Sequence, residues 1–124
     1  MIKVMLVDDE ADLCFFLKKN LETAGEFEVM TCSESSKALM EIKQFKPDIV
    51  VIDVLMPGLS GPEIVEQMKA DMRTKNTPTI FLTAIATSED IETNQNIIGG
   101  HFMVAKPVEI DHLLKIIHNA IGAK

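Results

Sequence analysis

The sequence predicts an α/β fold, a five-stranded parallel sheet with five helices on both faces. Short apolar runs of strand length alternate with segments of helical spacing, five times in 124 residues. The run at residues 48–53, "DIVVID", is β-branched and apolar up to its last residue, as a strand buried on both faces is. No repeat, low-complexity segment or linker-like composition interrupts the alternation, so residues 1–124 read as one domain.

The elements follow in order. "IKVMLV" (2–7) is a continuous apolar run of strand length. "DLCFFLKKNLETAG" places Leu13, Phe16, Leu17, Leu21 and Ala24 at helical spacing, with Gly25 as the stop. "FEVMTC" (27–32) alternates like a strand. "SESSKALMEIKQFKP" opens on serines and acids, carries Ala38, Leu39, Ile42 and Phe45, and stops before Pro47. Residues 48–53 form the third strand. "GPEIVEQMKADM" is helical, with Pro62 in its first turn. "TPTIFLT" (77–83) is a strand that tolerates Pro78 at its start. "TSEDIETNQNII" (87–98) predicts a weak fourth helix, opened by a capping-box pattern from Thr87 to Asp90. "HFMVA" (101–105) is the fifth strand. The closing helix carries Ile110, Leu113, Leu114, Ile117 and Ile121 on one face.

Composition narrows the function. A chain of this length buries about two thirds of its unfolded surface, enough for one core. The formal charge of −7 argues against direct nucleic-acid binding, which needs a basic face. No apolar run approaches a membrane span, and acids interrupt the N-terminal stretch too early for a signal peptide. Cys14 and Cys32 lack metal-ligand spacing and lie in apolar segments, which predicts buried free thiols in a reducing cytoplasm. His101, His112 and His118 show no ligand spacing either.

The polar residues gather where such sheets bind ligands, beyond the carboxyl ends of the strands. The first strand ends in Asp8-Asp9, the third in Asp53, the fourth in Thr83, and the fifth just before Lys106. Carboxylates crowded together repel unless a cation joins them, and hard oxygen ligands suit Mg²⁺. A carboxylate on a metal, beside a hydroxyl and an ammonium, is suited to phosphoryl transfer. A buried strand presents Asp53 rigidly, and Pro57-Gly58 turns the chain away to keep its carboxylate reachable.

Over its whole length the chain resembles the receiver domain of two-component response regulators. The residues are "VDDE" (7–10), "DVLMPGLSG" (53–61), "LTA" (82–84) and "AKP" (105–107), in this order and spacing. The resemblance implies a flavodoxin-like doubly wound sheet of strand order 2-1-3-4-5. It implies phosphorylation of Asp53 by a histidine kinase or histidine phosphotransfer protein, with Mg²⁺ on Asp8, Asp9, Asp53 and the backbone carbonyl of Leu55. Thr83 matches the switch hydroxyl, and Lys106 the phosphate-binding lysine, usually followed by a cis proline, here Pro107. It further implies a downstream effector protein that reads the face around the fourth helix and fifth strand. The expected protein is cytoplasmic, a monomer or a weak phosphorylation-dependent dimer.

Receivers usually carry Tyr or Phe three residues before the lysine. Here that position is Met103, and Phe102 takes it only if the strand register slips. Phe15 is expected as an apolar contact for a kinase bundle. Leu55 and Ile85 are expected to flank the path of a hydrolytic water. Two further readings are a receiver belonging to a longer regulator and a haloacid-dehalogenase-type aspartyl phosphatase. The phosphatase class needs an acid two residues after its nucleophile, where this chain has Leu55.

Overall fold

Strand β1 (Ile2–Val7) pairs in parallel with β2 (Phe27–Cys32) on one side and β3 (Ile49–Asp53) on the other. Beyond β3 lie β4 (Thr79–Thr83), β5 (Ile97–Ile98) and β6 (His101–Ala105), which complete the order β2-β1-β3-β4-β6-β5. The five longer strands are parallel and match the order expected from the sequence. The computed structural model describes residues 1–84, 97–98 and 101–122. Residues 85–96 of the segment read as a fourth helix therefore lie outside the described residues, as does the capping pattern from Thr87 to Asp90. Ile97 and Ile98, assigned to that helix, instead pair antiparallel with Phe102 and His101.

Helices α1 (Ala11–Thr23), α2 (Ala38–Phe45), α3 (Gly61–Lys69) and α4 (Ile110–Gly122) cover the sheet on both faces. A single 3₁₀ turn, Ser35–Lys37, leads into α2. α2 ends at Lys46, whose left-handed φ of +55° turns the chain into Pro47. The sheet divides the core in two. One cluster joins α1 and α4 through Leu17, Leu21, Leu113, Ile116 and Ile117 to Val4, Leu6, Val51 and Leu82. The other joins α2 and α3 through Ile42, Ile64 and Met68 to Met5, Val50, Ile52 and Phe81. Period-2 alternation along each strand produces this split.

Two details of the helix faces differ from expectation. On α1 the buried residues are Cys14, Leu17 and Leu21, while Phe16 is 49% exposed and Ala24 is also exposed. A three-residue stripe suffices because α1 covers the sheet near its edge, over β2 and beside α4. On α4 Ile116 joins the buried face, while Ile110, Leu114 and Ile121 flank it half-buried. Cys14 and Cys32 are buried free thiols, as expected.

Candidate functional site

Parallel strands end at a common edge, so the residues closing β1, β3, β4 and β6 meet there. Asp8 and Asp9 follow β1, Asp53 ends β3, Thr83 ends β4 and Lys106 follows β6. Register brings them level, with Asp53 beside Leu82 and Thr83 beside Ala105. They line a cleft of about 350 Å³ together with Glu10 and Leu55, except Asp8, which lies deeper. Asp8 is 1% exposed and Asp53 6%, whereas Asp9 stands in water.

One oxygen from each of Asp8, Asp9 and Asp53 lies within 4.8 Å of the others. The Lys106 ammonium lies 2.7 Å from Glu10 Oε1, 3.0 Å from Asp8 Oδ2 and 3.4 Å from Asp53 Oδ2. Asp8 Oδ1 accepts the Glu10 backbone N–H at 2.9 Å. Asp8 Oδ2 is buried without a hydrogen bond, since Lys106 approaches it without the alignment of one. An anionic oxygen left unsatisfied in the interior is costly. Clustered carboxylate oxygens with this spare acceptor fit a hard divalent cation such as Mg²⁺.

The charges perturb one another. Burial raises the Asp53 pKa above the ordinary value, the Asp8 charge raises it further, and Lys106 offsets this only in part. Burial alone pulls Lys106 down, but the hydrogen bond to Glu10 and the close negative charges of Asp8 and Asp53 raise it overall. Lys106 therefore stays an ammonium throughout the physiological range.

The loop after β3 is held in place by contacts from another element. Ser35 Oγ donates to the Pro57 carbonyl at 2.7 Å and accepts the Leu59 N–H at 2.9 Å. At Gly58, φ is +83° and a Cβ would stand 2.6 Å from Ser35 Oγ, so only glycine fits. Gly61 opens α3 against the strand, where a Cβ would collide with the Asp53 carbonyl. Ser60 caps α3 in a capping box with Glu63. This framework fixes the loop that follows Asp53, and Gly61 brings it back against the Asp53 backbone while Asp53 still lines the cleft.

The structure brings together Asp8, Asp9, Asp53, Thr83 and Lys106, all named from the sequence. Sequence reasoning missed Glu10, Ser35 and the capping role of Ser60. "SGPE" (60–63) carried the signal for the cap. Glu10 stood within "VDDE" without a role of its own and Ser35 carried no mark, because Lys106 and the Pro57–Leu59 loop are remote along the chain. Met103 pairs with Phe81 and packs with the α2–α3 cluster, whereas Phe102 packs with the opposite cluster. The register has not slipped. Leu55 is 62% exposed at the cleft, and Ile85 lies outside the described residues. Phe15 projects from α1, 69% exposed. The Lys106–Pro107 peptide bond is cis.

A doubly wound sheet with this acidic edge, a strand-end hydroxyl and a buried-side lysine defines the class of phospho-accepting α/β signalling domains. The chain matches the response regulator receiver domain over residues 4–118 and belongs to that family. It is 32% identical to Protein PilH of Pseudomonas aeruginosa, over 99% of each chain. It is 31% identical to a probable cyclic di-GMP phosphodiesterase of Vibrio cholerae, over 98% of this chain but 27% of that protein. It spans about half of another relative, Response regulator Rre1 of Synechocystis, at 52% of its length. Chemotaxis protein CheY4 of Vibrio cholerae superposes with a TM-score of 0.81 at 28% identity, over 97% of this chain and 98% of that one. The chain is thus a phospho-accepting receiver domain of two-component signalling, a signalling switch. No helix among the described residues is long and apolar enough to cross a membrane.

Proposed function

We propose that Asp53 is the phosphoryl acceptor and that residues 1–124 form one receiver domain able to catalyse its own phosphorylation and dephosphorylation. The observation that carries this is a buried carboxylate at the end of a central strand, with a lysine ammonium 3.4 Å from its Oδ2. The donor is a phosphohistidine on a histidine kinase or phosphotransfer protein. An Asp53 oxygen attacks phosphorus, the O–P bond forms as the N–P bond breaks, and the imidazole leaves with the electron pair and takes a proton from solvent. Lys106 offsets charge on the phosphoryl oxygens, and the Thr83 hydroxyl donates to one of them.

Asp8, Asp9, Asp53 and the Leu55 carbonyl are the proposed holders of Mg²⁺. When bound, the ion supplies the positive charge that lets the carboxylates coexist and offsets the charge of the transferring group. Thr83 couples the site to the face around the predicted fourth helix and β6, where Met103 stands in the place of the usual aromatic. A downstream effector reads that face. The domain acts in the cytoplasm, where a histidine kinase or phosphotransfer protein can reach Asp53. Its oligomeric state is a monomer or a weak phosphorylation-dependent dimer.

Intact-mass measurement after acetyl phosphate treatment tests the acceptor. One phosphate should add in Mg²⁺ and none in EDTA, and Asp53→Asn should abolish the adduct. A full adduct on Asp53→Asn overturns the assignment.

A further inference from the structure

The geometry points to Glu10 as a positioning residue that draws the Lys106 ammonium away from Asp53 and competes with the phosphoryl group for it. This rests on the reading of Asp53 as acceptor and Lys106 as its phosphate-binding cation. Three carboxylates surround one ammonium, and their distances rank them: Glu10 at 2.7 Å, Asp8 at 3.0 Å and Asp53 at 3.4 Å. The Glu10 contact is a short, charge-assisted hydrogen bond. Asp53, the proposed acceptor, is the farthest and lies beyond the usual N–H···O range.

The three anions are not held alike. Asp8 is buried, and its Oδ1 accepts a backbone N–H. Asp53 ends a wholly buried strand. The Glu10 side chain is 59% exposed, while that of Lys106 is only 13% exposed. Glu10 therefore holds the ammonium from the water side of the cleft it helps to line. A phosphoryl group on Asp53 adds anionic oxygens on the inner side. Lys106 has three protons to donate and already serves Glu10 and the field of Asp8. Glu10 holds the ammonium 3.4 Å from Asp53, so moving inward to the phosphoryl group lengthens the 2.7 Å bond to Glu10. Water resolvates an exposed carboxylate at little cost, so the exchange is shallow and reversible. Glu10 thus sets the threshold at which phosphorylation captures Lys106.

Beryllofluoride, titrated at saturating Mg²⁺ into the wild type, Glu10→Gln and Asp12→Asn, tests this. Glu10→Gln should bind roughly two- to fivefold tighter, the range an exposed ion pair commands. The difference should shrink in high salt, which screens the pair in the wild type. Asp12→Asn removes another acid from the first turn of α1 and should change affinity little. Weaker or unchanged binding by Glu10→Gln, with a wild-type melting temperature, overturns the proposal. So does equal tightening by Asp12→Asn, which would reduce the effect to general charge. Asp53→Asn separates the two readings. If it abolishes acetyl phosphate labelling while Glu10→Gln leaves affinity unchanged, only the role of Glu10 falls. If Asp53→Asn labels fully, the acceptor assignment falls.

Discussion

Asp53 carries its charge at a cost, because burial and Asp8 raise its pKa more than Lys106 lowers it. The folded chain therefore binds more protons than the unfolded chain, from the ordinary carboxylate value up to the raised one. Stability falls as pH rises through that window, and the full cost is present at neutral pH. Asp53→Asn removes the charge and should raise the melting temperature of the metal-free protein by a few degrees at pH 7. The gain should vanish below the ordinary carboxylate range, as differential scanning calorimetry across pH can show. Leu55 gives a second test at this scale. Its exposed side chain at the cleft offers no hydrogen bond to an attacking water. Leu55→Asn should speed loss of phosphate from Asp53 several-fold, measured as decay of the adduct by mass; unchanged decay with Mg²⁺ affinity preserved counts against crowding. The strand-end residues were legible because a parallel sheet assigns them a place without reference to side-chain detail. Glu10 was not, because its bond to Lys106 spans 96 residues of sequence separation. Only folding creates that proximity.

At the scale of elements, α3 shows how much of the site depends on local backbone chemistry. Ser60→Ala removes the side chain that accepts the Glu63 N–H and should cost about 1 kcal/mol in urea unfolding. Gly61→Ala should cost more, since the new methyl meets the rigid backbone of Asp53 and cannot be relieved by a rotamer change. It should also lower Mg²⁺ affinity by shifting the Asp53 backbone, an effect Ser60→Ala should lack. Isothermal titration with Mg²⁺ distinguishes the two. Most strand bounds were readable, since apolar runs ending on a charge leave little choice. The stretch ending in Ile97-Ile98 was not. Its polar residues suggested a weak helix, yet Gly99-Gly100 between Ile97-Ile98 and the strand run "HFMVA" is also a turn signal. Ile97 and Ile98 pair antiparallel with Phe102 and His101. The α1 stripe misled differently, because helical spacing identifies a face but not how much of it the sheet can cover.

At the scale of the whole molecule, the two thiols limit its tolerance of alkali. Burial pushes both Cys14 and Cys32 up to about 11. The folded chain thus keeps protons that the unfolded chain releases above its ordinary thiol range. Stability should decline as pH rises from about 9 to 11. The Cys14→Ala, Cys32→Ala double variant should flatten that decline, whatever its stability at pH 7. Thermal melts across the range read this directly. The same burial should leave both thiols slow toward alkylating reagents until the chain opens. Phe15 provides a test of partner choice at this scale. It is exposed on α1, which follows the acidic pair. Phe15→Ala should slow phosphoryl transfer from the cognate kinase several-fold while leaving acetyl phosphate labelling intact. Equal loss of both would indicate damaged folding.

The division of the interior by the sheet has a consequence for how this sequence can drift over generations. The α1–α4 cluster and the α2–α3 cluster share no side chain. A cavity opened in a close-packed interior can be refilled only by side chains that reach it from the same side of the sheet. A lineage that shrinks Ile64 must therefore recover the lost volume at positions such as Met5, Ile52 or Met68, and enlarging Leu113 cannot compensate. Each side can be rewritten almost independently of the other. The strand ends that carry the chemistry join both sides through the backbone, so they stay in place while either compartment changes.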